Sequence, residues 1–296
     1  MNILVYANCQ ANQIGMTLSL MLRGKAQIAG IDINNPQAPK LLQDMARGKP
    51  GASIDCVVTN HDVNELLPYF AREKIVEIPS IHFGGFHPDV VYFATKKAPS
   101  VPLFFKKNPS ISALALWGHL NRLPLEKTLS LYREEVFEAL GYMDYFDVCC
   151  HAIVENFAQH HIDTGLIERF IASRSVFMYG PFHPRLEVTQ SLCEGVCERL
   201  NLAPNFKFEE MDHMFPDPLQ QEYAWGCFPP LAARLGVPGS WMVRHHNEVF
   251  LTLEHYLQVV YPFLDSIPRG VVQFFDKDKS RFEEFHKIDE VLGKLI

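Results

Sequence analysis

The sequence predicts an α/β fold with a parallel-sheet core of Rossmann or SGNH-like type. Two observations point there. Short apolar runs, Asn2-Ile3-Leu4-Val5-Tyr6 and Ser53-Ile-Asp-Cys-Val-Val-Thr59, have the length and composition of strands. Helix-length segments with apolar residues recurring at three- and four-residue spacing lie between such runs. That alternation argues for parallel strands joined by right-handed crossovers. A third observation, 48% hydrophobic against 21% charged residues, gives a chain of 296 residues ample material for a core.

Each element follows in order. The first strand runs into Ala7-Asn8-Cys9-Gln10, and Ala11 to Leu22 is helical, with Ile14, Leu18 and Leu22 on one face. Gln27 to Ile33 is the second strand. Ala38 to Arg47 is a helix ended by Gly48-Lys49-Pro50-Gly51. The strand Ser53 to Thr59 stops at Asn60-His61-Asp62, Asn64 to Arg72 is helical, and the strand Lys74 to Ile78 is stopped by Pro79. A glycine-bearing loop, Ile81-His82-Phe83-Gly84-Gly85-Phe86-His87-Pro88-Asp89, comes next. Pro88 keeps His87 out of the helical region. Helices are expected over Ser110–His119, Leu125–Leu140, Val148–His161 and Gly165–Ser173, so residues of about 108–173 read as a helical insertion in one α/β domain spanning 1–296. A strand, Ser175 to Tyr179, then leads into Gly180-Pro181-Phe182-His183-Pro184 and a helix over Leu186–Leu200. Asn205 to Pro218 wraps the surface. Further helices are expected over Phe228–Leu235 and Val249–Leu264, and a late strand over Val271–Phe275.

Net charge is −7, which gives no general attraction to nucleic acid or to an anionic membrane surface. No apolar stretch approaches the roughly twenty residues of a membrane span, and the opening run lacks a signal peptide's charged flank. The seven cysteines include no C-x-x-C pair, which fits reduced thiols in a cytoplasm. Thirteen histidines are present without an H-E-x-x-H or paired Cys/His spacing, so no metal is expected.

The chemistry centres on Cys9. A thiol between a strand and a helix meets the unpaired N–H groups and positive dipole end of the helix, which favour the nucleophilic thiolate. The same N–H groups can hold an oxyanion. Against this stands the ordinary role of cysteine as a small buried hydrophobe, which is the expectation for the other six. Asn8 and Gln10 flank the thiol with amide donors, and Asn60, at another strand end, is a further donor unless it merely turns the chain. A cysteine nucleophile needs a base. His87 is the first choice and His183, in an equivalent His-Pro context, the second; each has packing as its alternative. Asp89 either orients a histidine or caps a helix. Lys106, Lys107 and Arg244 form local positive patches that can hold phosphate or remain solvated.

The combination of strand–Asn8-Cys9-Gln10–helix, the downstream Ile78-Pro79…Phe83-x-Gly85-x-His87-Pro88-Asp89 and the later His183-Pro184 resembles the WcbI-type polysaccharide biosynthesis enzymes. The resemblance is best over the first hundred residues. It implies a capsule acetyltransferase that binds coenzyme A and moves an acetyl group from acetyl-CoA to a hydroxyl of a saccharide or polysaccharide precursor. Cys9 then matches the family's active-site cysteine and His87 lies in its His-Pro-Asp element. Coenzyme A is anionic and needs a basic patch, for which Lys106, Lys107 and Arg244 are this chain's own candidates, with Asn60 beside them as a strand-end donor. The family is distantly similar to SGNH hydrolases, but this chain has Cys in place of Ser and lacks the late Asp-x-x-His. Two other readings use the same residues: a cysteine-dependent esterase or thioesterase, with water as acceptor, and a non-enzymatic sugar- or nucleotide-binding protein in which Cys9 is structural.

Overall fold

β1 (Asn2–Ala7) is the axis of the first sheet, and its side chains are buried from Ile3 onward. The computed structural model describes residues 1–48, 53–95, 110–206, 215–246, 248–267, 272–274 and 279–295. After β1 come α1 (Ala11–Met21), β2 (Gln27–Asp32), α2 (Ala38–Ala46), β3 (Cys56–Thr59) and β4 (Ile75–Glu77). The middle of the chain carries β5 (Val90–Thr95), β6 (Ser110–Ser112), α3 (Ala113–Leu120), α4 (Leu125–Leu129), α5 (Glu134–Ala139), α6 (Tyr145–Gln159) and α7 (Gly165–Ala172). Then follow β7 (Met178–Gly180), the two-residue β8 (His183–Pro184), α8 (Leu186–Arg199), β9 (Tyr223–Trp225) and α9 (Pro229–Leu235). β10 (Val243–His245), β11 (Glu248–Phe250), α10 (Leu253–Asp265), β12 (Val272–Phe274) and α11 (Lys279–Leu295) close the described chain.

The chain divides into two compact units, Met1–His82 with His151–Ser173 and His183–Leu219, and Phe83–Cys150 with Arg174–Phe182 and Gln220–Ile296. In the first, β1 to β4 form a four-stranded sheet in the order β2-β1-β3-β4. Every pairing in it is parallel. The chain moves outward from β1 to β2 and then returns past β1 to β3. With right-handed crossovers, that reversal puts α1 and α2 on opposite faces. Leu4, Tyr6 and Val57 share one face with Ala38 and Leu42 of α2 and with Leu66, Phe70 and Ile75. The carboxyl ends of β1 and β3 are therefore the switch point of the sheet, where open α/β sheets bind ligands.

α1 and α8 meet within the same unit through a buried polar link. Gln13, fully buried, donates through Nε2 to Asp217 Oδ1 at 2.7 Å. Thr189 Oγ1 donates to Gln13 Oε1. The Asp217 carboxylate also accepts from the backbone N–H of Leu186, at the start of α8, at 2.7 Å and from that of Leu219 at 3.0 Å. An acidic group at a helix N-terminus is favoured by the dipole.

The second unit is mixed rather than purely helical. β5 pairs antiparallel with β6 and β12. β10 pairs antiparallel with β9 and β11. β7 approaches β9 so closely that a Cβ on Gly180 would overlap the Tyr223 ring, which explains glycine there. An aromatic cluster of Phe83, Phe86, Phe146 and Phe177, with ring centroids 4.9–5.4 Å apart, forms part of the core.

Several expected elements differ in extent. Asn64–Arg72 forms two 3-10 turns, Val63–Glu65 and Arg72–Lys74, instead of one helix. Pro68 supplies no N–H inside that stretch. The expected helix over Leu125–Leu140 is split into α4 and α5, with the Ser130 hydroxyl bonded back to Lys127 O at 2.6 Å at the break. Val249 and Phe250 belong to β11, and the helix starts after Thr252, whose hydroxyl accepts from His255 N at 3.1 Å. Ser112 does the same for α3, accepting from Ala115 N at 3.1 Å. No helix among the described residues is long and apolar enough to cross a membrane.

Replacing Asp217 with Ala leaves the buried Gln13, Leu186 and Leu219 donors without this acceptor. We expect a loss of about 3 kcal/mol in unfolding free energy by chemical denaturation. A loss below about 1 kcal/mol would show that the carboxylate does not hold α1 to α8.

Candidate functional site

Cys9 stands in the turn between β1 and α1, partly exposed, at the switch point of the parallel sheet. Ala11 N donates to Asn8 O at 2.8 Å and Ile14 N to Gln10 O at 2.9 Å, so the helix begins immediately after the thiol. Ala11 N is thereby occupied, and Cys9 sits just ahead of the remaining first-turn N–H groups of α1. The dipole there favours an anion by roughly 0.3–1 kcal/mol.

The turn is braced by a network of amides. Asn8 N donates to Asn60 Oδ1 at 3.1 Å, across the carboxyl ends of β1 and β3. Asn60 Nδ2 donates in turn to Asn8 Oδ1 at 3.1 Å and to Gln10 Oε1 at 3.4 Å. Gln10 N donates to Asn8 Oδ1 at 3.0 Å. The Gln10 side chain, fully buried, pairs with the backbone of Ile81 in both directions, Nε2 to the carbonyl at 2.7 Å and Oε1 from the N–H at 3.3 Å. Asn8 Nδ2 donates to Ser80 Oγ at 3.0 Å. Asn156 of α6 donates through Nδ2 to Ser80 O at 3.1 Å. The backbone donors fix the orientation of Asn8 and Asn60, since only an amide oxygen can receive them.

The structure therefore brings together Asn8, Cys9, Gln10 and Asn60. The three amides hold the turn by bonding one another and the segment after β4. Ser80, Ile81 and Asn156 join them without having been singled out in the sequence. Ser80 carries the same signal as Asn60, a polar position just after a strand; Ile81 enters through its backbone, which no side-chain signal marks, and Asn156 carries none.

His183 lies in the first unit at β8, 3% exposed. Burial pushes its pKa down to about 3, partly offset by a hydrogen bond with the Leu219 backbone, so the ring is neutral near pH 7 and a weak base. His87 and Asp89 belong to the second unit. His87, 3% exposed, has Nε2 at 2.9 Å from Trp225 O, so Nε2 carries a hydrogen and donates to that carbonyl. Asp89 Oδ1 accepts from Leu114 N at 3.0 Å and from Tyr142 Oη at 3.3 Å, while its carbonyl accepts from Ala113 N at 2.7 Å. Asp89 therefore takes the helix-capping role, at the start of α3. Arg244 lies on β10 opposite Val249. Lys106 and Lys107 lie outside the described residues.

Five of the other cysteines, Cys56, Cys149, Cys193, Cys197 and Cys227, are buried, and Cys150 is partly exposed. Burial pushes Cys56 and Cys197 up to about 11 and Cys150 and Cys227 up to about 12. Those thiols stay protonated near neutral pH. Among the described residues no group of three His, Cys, Asp or Glu side chains could hold a metal ion.

The sequence pattern of the polysaccharide biosynthesis enzyme WcbI matches residues 2–205. The chain belongs to the WcbI family. A solved structure of WcbI, termed a novel polysaccharide biosynthesis enzyme, superposes with a TM-score of 0.67, covering 99% of this chain and 94% of that one. Sequence identity is 12%, so this likeness concerns the fold. That structure is described as the native protein without a disulfide bond between coenzyme A and a cysteine. No curated protein matches the sequence. The family match covers β1 to α8 and thus the whole amide network around Cys9.

The depressed pKa of His183 has a consequence for stability. The unfolded chain takes up a proton near pH 6.5 that the folded chain refuses until about pH 3. Stability is therefore full above about pH 6.5 and drains away as pH falls toward the folded value. Burial, with His246 a lesser cause, holds His245 in the second unit down to about 3 as well, with the same sign. Unfolding midpoints measured from about pH 7 to about pH 4 should fall, and His183→Gln should flatten the decline. An identical pH slope in the variant would contradict the assignment.

Proposed function

We propose that this WcbI-family chain is a coenzyme A-dependent O-acyltransferase, carrying an acetyl group from the thioester to a hydroxyl of a saccharide used in polysaccharide synthesis. One observation carries the reading: a partly exposed thiol at a helix N-terminus, at the switch point of a parallel sheet, in a turn braced by three amides. A chain that needed only a packed cysteine would not require such bracing. The solved WcbI structure, whose description links coenzyme A with a cysteine, supports the choice of thioester.

The chemistry runs in two displacements. Cys9 Sγ, as thiolate, attacks the thioester carbonyl of acetyl-CoA, and the carbonyl oxygen becomes an oxyanion beside the N-terminus of α1. Collapse expels coenzyme A as its thiolate and leaves the acetyl group on Cys9. A saccharide hydroxyl then attacks the acetyl-cysteine carbonyl. Its oxygen forms the ester, Cys9 Sγ leaves, and the hydroxyl proton goes to the sulfur. The bracing matters in both halves because the helix N–H groups must face the reacting carbonyl without reorganising.

Coenzyme A at about a hundred times its dissociation constant should add roughly 2.7 kcal/mol of apparent stability, read by thermal unfolding. Cys9→Ala should keep that shift and lose turnover of acetyl-CoA. Products analysed with and without a saccharide acceptor separate ester transfer from hydrolysis. Absence of any shift with coenzyme A or acetyl-CoA would contradict the proposal.

A further inference from the structure

We infer that Ser80 is a catalytic residue, its hydroxyl donating a hydrogen bond to the carbonyl oxygen of the acyl group during transfer. This rests on the acyltransferase reading and deepens it.

Asn8 sets the orientation of the site. The backbone N–H of Gln10 points at Asn8 Oδ1 at 3.0 Å, so the amide oxygen must face that way. Asn8 Nδ2 is then fixed toward Ser80 Oγ at 3.0 Å. An amide NH2 only donates, so Ser80 Oγ accepts there and its own hydrogen is directed elsewhere. Among the described residues no group takes that hydrogen. Ser80 is half-buried, so the hydrogen remains within reach of a ligand.

Ser80 is also held at its backbone. Asn156 Nδ2 donates to Ser80 O at 3.1 Å, and Gln10 grips the next residue, Ile81, through both backbone groups. The hydroxyl is thus fixed from two sides, one side chain away from the residue that precedes Cys9. Asn60 Nδ2 spends both hydrogens, on Asn8 Oδ1 and Gln10 Oε1, while Asn8 Nδ2 gives one to Ser80 Oγ and Gln10 Nε2 gives one to Ile81 O. Ser80 supplies the hydroxyl of this network, and accepting from Asn8 leaves its own hydrogen to be donated. Its hydroxyl, 3.0 Å from the side-chain nitrogen of the residue before Cys9, is a pre-positioned donor of the kind that meets a developing oxyanion without reorganising. No proton changes hands: Ser80 keeps its hydrogen while negative charge builds on the oxygen and disperses.

The test separates this role from bracing. Ser80→Ala removes the donor and also the acceptor of Asn8. Two rates are compared in the full chain: turnover of acetyl-CoA with hydroxylamine as acceptor, and alkylation of Cys9 by iodoacetamide, which displaces iodide at a saturated carbon and builds no oxyanion. Turnover should fall by roughly a hundredfold, with the alkylation rate, KM for acetyl-CoA and thermal midpoint close to wild type. Unchanged turnover overturns the inference. So does an equal fall in both rates, which would make Ser80 a brace for Asn8. If the wild-type chain binds acetyl-CoA yet leaves it intact, the acyltransferase reading itself fails, and this inference with it.

Discussion

The hydrogen bond from Gln10 N to Asn8 Oδ1 organises the rest of the site. It turns the Asn8 amide so that its nitrogen faces Ser80, and it closes the turn that carries Cys9. Asn60 completes the closure from β3, taking the Asn8 N–H and returning its own donor to Asn8 and Gln10. Each of these bonds is worth about 1 kcal/mol net. Bonded in a chain, these amides fix one another's orientation. The fold supplies the precondition. β1 lies between β2 and β3, all parallel, so the ends of β1 and β3 are adjacent, and Asn8, Cys9 and Asn60 there are partly exposed. A site at this point can take residues from separate stretches of chain, here 8–10, 60 and 80–81.

Much of this was legible in the sequence, and the limits have physical causes. The strand–Asn8-Cys9-Gln10–helix order fixes the thiol at a helix start because strand, turn and helix are local. The parallel sheet followed from alternation of strands and helices over the first eighty residues. The amides were recognised as polar neighbours of the thiol, but their partners were not. A donor aimed at an oxyanion and a donor bracing a loop look identical until residues fifty to seventy positions away are placed beside them.

The same limit explains the histidines and the second unit. His183-Pro184 and His87-Pro88 look alike as sequence, but one ring is held neutral by burial and the other is oriented by Trp225 O. Which carbonyl meets a ring is a long-range fact. The three-residue strands β6, β9, β10 and β11 lie outside the strands that the sequence predicts, being too short to show a period of two. Asp89 meets the start of α3, where a helix leaves N–H groups in need of an acceptor, and that contact too joins residues distant in sequence.

Cys9 as the residue that carries the acyl group is the central claim. Labelled acetyl-CoA, incubated with the full chain, quenched in acid and followed by peptide mapping, tests it most directly. The account predicts label on the peptide containing Cys9, discharged when an acceptor is added before the quench. A chain that turns over acetyl-CoA while label never appears at Cys9, or appears at another residue, would contradict it.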